Sequence, residues 1–143
     1  MDVKKVLASI SRRVENEAYA RKLGIRLVEL NPGHAIVEMD SSEDDTNING
    51  LIHGGAIFSL IDEAFQVSSN SHGRLAVALN VTVTYHQTPG KNSRLRAESK
   101  ETHRSQKTGT YDIRVTDEKD NLIASCLALA YIKKAPLSFL DEE

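Results

Sequence analysis

Asn47-Ile48-Asn49-Gly50-Leu51-Ile52-His53-Gly54-Gly55-Ala56-Ile57-Phe58-Ser59-Leu60-Ile61-Asp62-Glu63-Ala64-Phe65 runs from a polar loop, through two glycines, into the most apolar helical pattern of the chain. From Ala56 to Ser71, residues Ile57, Leu60, Ile61, Ala64 and Phe65 recur at steps of three and four, and Gly73 closes the pattern. A stripe this apolar needs a sheet face to bury against, so the helix is expected at the centre of the fold.

Upstream, Val3, Val6, Leu7, Ile10 and Val14 predict one surface helix from Val3 to about Arg21, stopped by Gly24. Ile25, Leu27 and Leu30, the turn Asn31-Pro32-Gly33 and the alternation from His34 to Met39 read as a β-hairpin. Residues 40–52 form a loop without periodicity. Downstream, Val77, Leu79, Val81, Val83 and Tyr85 alternate with Ala76, Ala78, Asn80, Thr82 and Thr84 as the two faces of a strand that ends before Pro89-Gly90. Three more strands follow, at Leu95 to about His103, at Tyr111/Ile113/Val115 and at Leu127/Leu129/Tyr131. Helix, two strands, buried helix and four strands make an α+β fold, an antiparallel sheet wrapped around one helix. The 143 residues fit a single domain. It divides into an N-terminal helix (1–22), a core (24–133) and a tail (134–143) whose end, Asp141-Glu142-Glu143, is expected to be loose.

Composition removes several classes of function. Apolar residues at 40% are too many for a disordered regulator. A net charge of -2 without a basic stripe, 5% aromatic residues and no Trp argue against nucleic acid as a partner. The longest apolar run, Cys126 to Ile132, is far short of the roughly 20 residues that cross a bilayer, so no membrane span is expected. Charges within Met1 to Lys5 do not suit a secretory signal, and the lone Cys126 cannot form an internal disulfide, which places the protein in the cytoplasm. His34, His53, His72, His86 and His103 lack metal-ligand spacing, and Cys126 lies in an apolar run, so neither a metal site nor a cysteine nucleophile is expected.

Gly54-Gly55 at a helix start has two readings. It is either a tight entry into the helix or a place where first-turn amides, lacking intrahelical acceptors, stabilise an oxyanion with the helix dipole. Asp62, on the margin of the apolar stripe, either turns outward to water or is kept for chemistry as nucleophile or general base. Eight residues separate Gly54 from Asp62, about 12 Å along one helix, so both can act on one carbonyl only if the carboxylate comes from a second copy related by a two-fold axis. The polar face Asn80/Thr82/Thr84 offers side chains to a ligand or to the attacking water.

The string His53-Gly54-Gly55-x-x-Phe58-Ser59-Leu60-x-Asp62-x-Ala64-Phe65, with Ser69-Asn70-Ser71 and Thr108-Gly109-x-Tyr111-Asp112-Ile113, closely resembles the hotdog-fold acyl-CoA thioesterases of the PaaI type, the phenylacetate-degradation branch. The likeness spans roughly residues 20 to 133. It implies a long curved antiparallel sheet around one central helix, a homodimer that builds the site and usually assembles into a homotetramer, an acyl-CoA substrate, and no metal or redox cofactor. By the same resemblance the Gly54 amide polarises the thioester carbonyl, with Gly55 beside the substrate and Asn47 as second polarising group. His53 orients that site or assists the departing thiolate, and Asp62 of the opposite subunit attacks the carbonyl or activates water. Asn80 stands where relatives place a Ser or Thr that holds the water, and Arg104 or Lys107 either contacts the phosphates of coenzyme A or is a solvated charge. Glu63 departs from the pattern as a rival carboxylate, about 100° around the helix. The branch suggests aryl-acetyl groups, plain or hydroxylated. Rival readings are a non-catalytic acyl-CoA-binding protein, which would bind without releasing thiol, and a hotdog dehydratase or hydratase, which would leave the thioester intact.

Overall fold

Asp2 caps the first helix, α1 (Val3–Glu15), accepting from the Lys4 and Lys5 amides at 3.0 and 3.4 Å. Val6, Ile10 and Val14 are buried, as their spacing predicts. The single helix expected to reach Arg21 is instead two. The Asn16 backbone amide bonds the Arg13 carbonyl, the Glu17 amide bonds the Val14 carbonyl, and the Asn16 side chain returns to the Arg12 carbonyl at 3.0 Å, so α1 closes at Asn16, and α2 (Ala18–Leu23) starts anew after Glu17. Glu15-Asn16-Glu17 has no apolar residue to carry the stripe across, and the break turns Glu17 toward the central helix. The computed structural model describes residues 1–140; the acidic end expected to be loose lies outside the described residues.

The hairpin forms as read, β1 (Arg26–Asn31) pairing with β2 (His34–Asp40) around Gly33, whose φ of 75° suits a residue without Cβ. The loop after it is more ordered than its lack of periodicity suggests. Ser42 and Asp45 cap a short 3-10 turn reciprocally, and Thr46 bridges to Ile52. The central helix, α3 (Gly54–Asn70), packs on β2, β3 (Arg74–Tyr85), β4 (Arg94–Arg104) and β5 (Thr108–Thr116). Ile57, Leu60, Ile61, Ala64 and Phe65 are all buried there, so the expected helix-on-sheet packing holds. With β6 (Leu122–Pro136) the sheet is six-stranded, antiparallel and open, in the order β1-β2-β4-β5-β6-β3.

Two boundaries differ from the sequence expectation. The two-faced alternation expected of β3 breaks at a bulge: Ala78 pairs with Ala130 but Asn80 with Leu129, leaving Leu79 as the extra residue. Ala76 and Ala78 therefore share the inner face with Val81 and Val83, while Val77 joins Asn80, Thr82 and Thr84 outside. At the other end, β6 continues to Pro136. Leu137 is buried, with Phe139 and Leu140 packed on the core, so much of the expected tail belongs to it.

Candidate functional site

His53 decides the geometry of the α3 start. Its Nδ1 accepts the Gly55 N–H at 2.8 Å, which makes it the N-cap and puts the ring proton on Nε2, facing outward as a donor. A Cβ on Gly55 would lie 3.0 Å from that Nδ1, a contact tight enough that the ring would have to shift to keep the cap. The Ala56 and Ile57 amides bond the His53 carbonyl at 3.0 and 3.4 Å. Among the described residues, no group accepts from the Gly54 N–H. The first turn thus presents one open amide rather than two: Gly54 supplies it, and the amide of Gly55 is already used. A cleft of about 330 Å³ opens there, lined by Ile52, Gly54, Ile57, Tyr85, His86, Gln87 and Thr88.

Tyr85 holds this corner, donating its hydroxyl to the Gly54 carbonyl at 3.2 Å. Burial, then the neighbouring Cys126, pushes its phenol above the ordinary value, so it stays a donor at neutral pH. Sequence reasoning placed Tyr85 only as a strand residue. Asn47 arrives through its loop, tied to the helix start by the His53 N–H to Asp45 carbonyl bond at 2.7 Å. Its Oδ1 accepts from the Asn49 and Leu51 amides at 2.9 and 3.1 Å, which fixes the side chain and leaves its NH2 free to donate.

Asp62 and Glu63 separate cleanly. Asp62 lies on the exposed stripe of α3 with Gly55, Phe58 and Gln66, about 12 Å from Gly54 along the axis, so one chain does not bring Gly54 and Asp62 together. The protein packed around its base, then the charge of Glu17, pushes its carboxyl above 3.8 although the side chain reaches solvent. Glu63 turns inward and is 6% exposed. Gln66 Nε2 bonds Glu63 Oε1 at 3.0 Å and both Glu17 oxygens at 3.1 and 3.3 Å. Burial, then the hydrogen bond to Glu17, pushes the Glu63 carboxyl up to about 9. At neutral pH it holds its proton and is not a competing base, and its Oε2 is buried with no hydrogen-bond partner among the described residues. Between 4.5 and about 9 the native chain holds a proton there that the unfolded chain has released, so stability falls as pH rises through this window. Glu63→Gln should flatten that slope in thermal melts from about pH 5 to about pH 9, with its largest gain at the alkaline end.

The remaining candidates scatter. Asn80 is on the face of β3 opposite Tyr85, its Oδ1 accepting from Thr82 at 2.9 Å, so within one chain it does not face Gly54. Arg104 pairs with Gly109 on the inner face with Tyr111, its Nε buried without a partner. Lys107 lies in the β4–β5 turn, against a second cleft. Glu17 and Tyr19, which no motif singled out, flank the exposed stripe of α3, Tyr19 donating to Ser59 at 2.9 Å.

Residues 49–124, just over half the chain, match the family described as the thioesterase superfamily. The acyl-coenzyme A thioesterase PaaI of Escherichia coli is 34% identical over 110 residues, covering 77% of this chain and 79% of that protein. The structure of the E. coli PaaI protein superposes with a TM-score of 0.90 at 28% identity, over 94% of this chain and 98% of that one. A Streptococcus mutans protein solved bound to acetyl CoA superposes at 0.75 with 25% identity, over 79% and 91% of the two chains. Six strands and one packed helix in this arrangement are the hotdog fold.

Proposed function

The chain belongs to the thioesterase superfamily and is a thioester hydrolase; we propose that it cleaves acyl-CoA to the free acid and coenzyme A, at a site completed by a second copy of itself. The observation that carries this is the open Gly54 amide at the positive end of α3, on the same helix as an exposed Asp62 whose affinity for a proton is raised.

Phe58 stands midway between Gly54 and Asp62 and is 38% exposed. If two α3 helices meet antiparallel at Phe58, the Gly54 corner of each faces Asp62 of the other. Strand β3 supports the same symmetry. It is a twelve-residue edge without proline, and Leu79, 57% exposed, lies at its middle. Phe58→Glu should weaken association by about 2 kcal/mol or more, roughly 30-fold, with hydrolysis lost in parallel. Sedimentation and thiol release measured on one dilution series check this, and a fully active monomer contradicts it.

In the shared site the Gly54 N–H and the Asn47 NH2 bond the carbonyl oxygen, and Asp62 attacks from the partner. As base it takes a proton from water, whose oxygen adds to the carbonyl carbon; collapse then breaks the C–S bond. As nucleophile it adds directly, expelling the thiolate and leaving an anhydride for water to open. In either case His53 Nε2–H is the donor for the departing sulfur. The proposal uses only groups of the chain, without metal or redox cofactor, and takes the protein to be cytoplasmic and a tetramer built from these dimers.

One turn beyond Asp62, Gln66 borders a mostly apolar cavity of about 540 Å³ lined by Ile10, Val14, Val67, Leu75 and Leu137 among others, large enough for an aryl-acetyl group of the phenylacetate type. A thiol-release assay across an acyl-CoA panel, wild type beside Asp62→Ala, tests the reading. Release by the wild type alone supports it, and equal rates remove Asp62 from the chemistry.

A further inference from the structure

The side-chain amide of Gln66 is the donor that α3 itself could offer to Asp62. The two residues lie one turn apart on the exposed stripe of the helix, the spacing at which side chains on one helix meet. The amide is turned elsewhere. Gln66 Nε2 bonds both Glu17 oxygens at 3.1 and 3.3 Å and Glu63 Oε1 at 3.0 Å, so its two protons are taken up by carboxyl groups on the side away from Asp62. The other end of the amide, Oε1, only accepts. Among the described residues no group donates a hydrogen bond to Asp62.

Glu17 holds the amide in this position. It stands at the N-cap of α2, yet its side chain accepts no bond from that helix. Half-buried, it crosses instead to α3, 49 positions away, where the break at Asn16 has turned it. Glu63 is buried and keeps its proton, so the negative charge of the cluster belongs to Glu17. The other ionisable groups around Asp62 are set differently. Cys126 of β6 is within electrostatic reach, but burial pushes its thiol up to about 11 and leaves it neutral. Tyr19 of α2 is bonded to Ser59 at 2.9 Å. Arg13 of α1 lines the cavity that Glu17 and Gln66 also border, its guanidinium 5.1 Å over the Phe139 ring. In the two-fold site, His53 of the partner subunit faces the same carboxylate.

We propose that Glu17 is a positioning residue for the hydrolysis: it ties up the Gln66 amide, so that the Asp62 carboxylate one turn away meets water or the carbonyl with its lone pairs free. A carboxylate that accepts no hydrogen bond is a stronger base than one that shares its electrons with an amide, and a fixed negative charge nearby acts in the same direction. The upward push on the Asp62 carboxyl, from burial first and Glu17 second, agrees with this. Glu17 acts only through Asp62, so its role rests on the thioesterase reading in which Asp62 performs the chemistry.

Thiol release by full-length Glu17 variants, measured across pH with the acyl-CoA that the wild type cleaves best, tests this role. Glu17→Ala frees the amide and removes the charge. Its kcat should fall about three- to tenfold with little change in KM. The acid limb of kcat/KM should move to lower pH, because the freed amide and the missing charge both favour the ionised carboxyl. Glu17→Gln removes the charge but keeps an oxygen for the amide, so its limb should move the same way by less. Glu17→Asp restores the charge and should bring the limb back toward the wild-type position. A limb that stays in place in Glu17→Ala, with only the melting temperature lowered, makes Glu17 structural and overturns the proposal. Asp62→Asn, run alongside, separates the two failures. If it loses the limb while Glu17→Ala keeps it unmoved, Asp62 retains its role and Glu17 does not. If Asp62→Asn keeps both turnover and limb, the reading of Asp62 fails and the role of Glu17 falls with it.

Discussion

Asp62→Asn should lower hydrolysis of every acyl-CoA that the wild type cleaves by about a hundred- to ten-thousand-fold, because an amide can neither take a proton from water nor add to a carbonyl. The substitution keeps the size of the side chain at an exposed helix position, so melting temperature and assembly should stay close to wild type. Desolvation, then Glu17, raises the pKa of this carboxyl above 3.8, so the acid limb of kcat/KM in the wild type should lie above that value. In the proposed mechanism the reactive form is the carboxylate. Activity should therefore decline as pH falls through the limb, and the residual rate of Asp62→Asn should lack this limb. An Asp62→Asn protein with near-normal turnover and an unchanged profile would assign the chemistry elsewhere.

Gly54→Pro should lower kcat by about a hundred- to a thousand-fold, the loss typical of one missing oxyanion donor. The substitution removes one proton with little else. Position 54 is the first residue of α3, where proline is welcome, and His53 at φ -66°, ψ 135° already has the extended backbone that a residue before proline needs. Gly54→Ala is the control. It keeps the N–H, and its Cβ would lie 3.5 Å from the Tyr85 ring, an ordinary contact, so most of the activity should remain. The two dead proteins then report on the symmetry of the site. Dissociated, mixed in equal amounts and reassociated, Asp62→Asn and Gly54→Pro chains should recover about one quarter of wild-type activity, since half the dimers are mixed and each of these has one intact site. If both groups acted within one chain, mixing would restore nothing.

What could be read from the sequence was whatever depends on period. The stripe from Ile57 to Phe65 announced a buried helix, and the same period set the distance between Gly54 and Asp62 that one chain cannot close. Readings failed where a local hydrogen bond or a tertiary contact outweighed the pattern. Asn16 ends α1 through bonds to Arg12 and Arg13, which an apolar count does not register. Leu79 is apolar in either register, so alternation ran unbroken across the bulge. The Tyr85 clamp on Gly54 spans 31 positions, and the approach of Glu17 to Gln66 spans 49; neither leaves a local trace. The separation of Asp62 from Glu63 also needed coordinates, because helix geometry set them about 100° apart without saying which faced the carboxylate of Glu17.

Strand β3 also bears on how the chain survives its own synthesis. An unzipped row of backbone donors and acceptors, flanked by apolar side chains and lacking the prolines that commonly guard such borders, invites any extended peptide to add on. A twin covering that border, as the proposed dimer requires, would shield it from such additions, and apparent melting temperature should then climb with protein concentration.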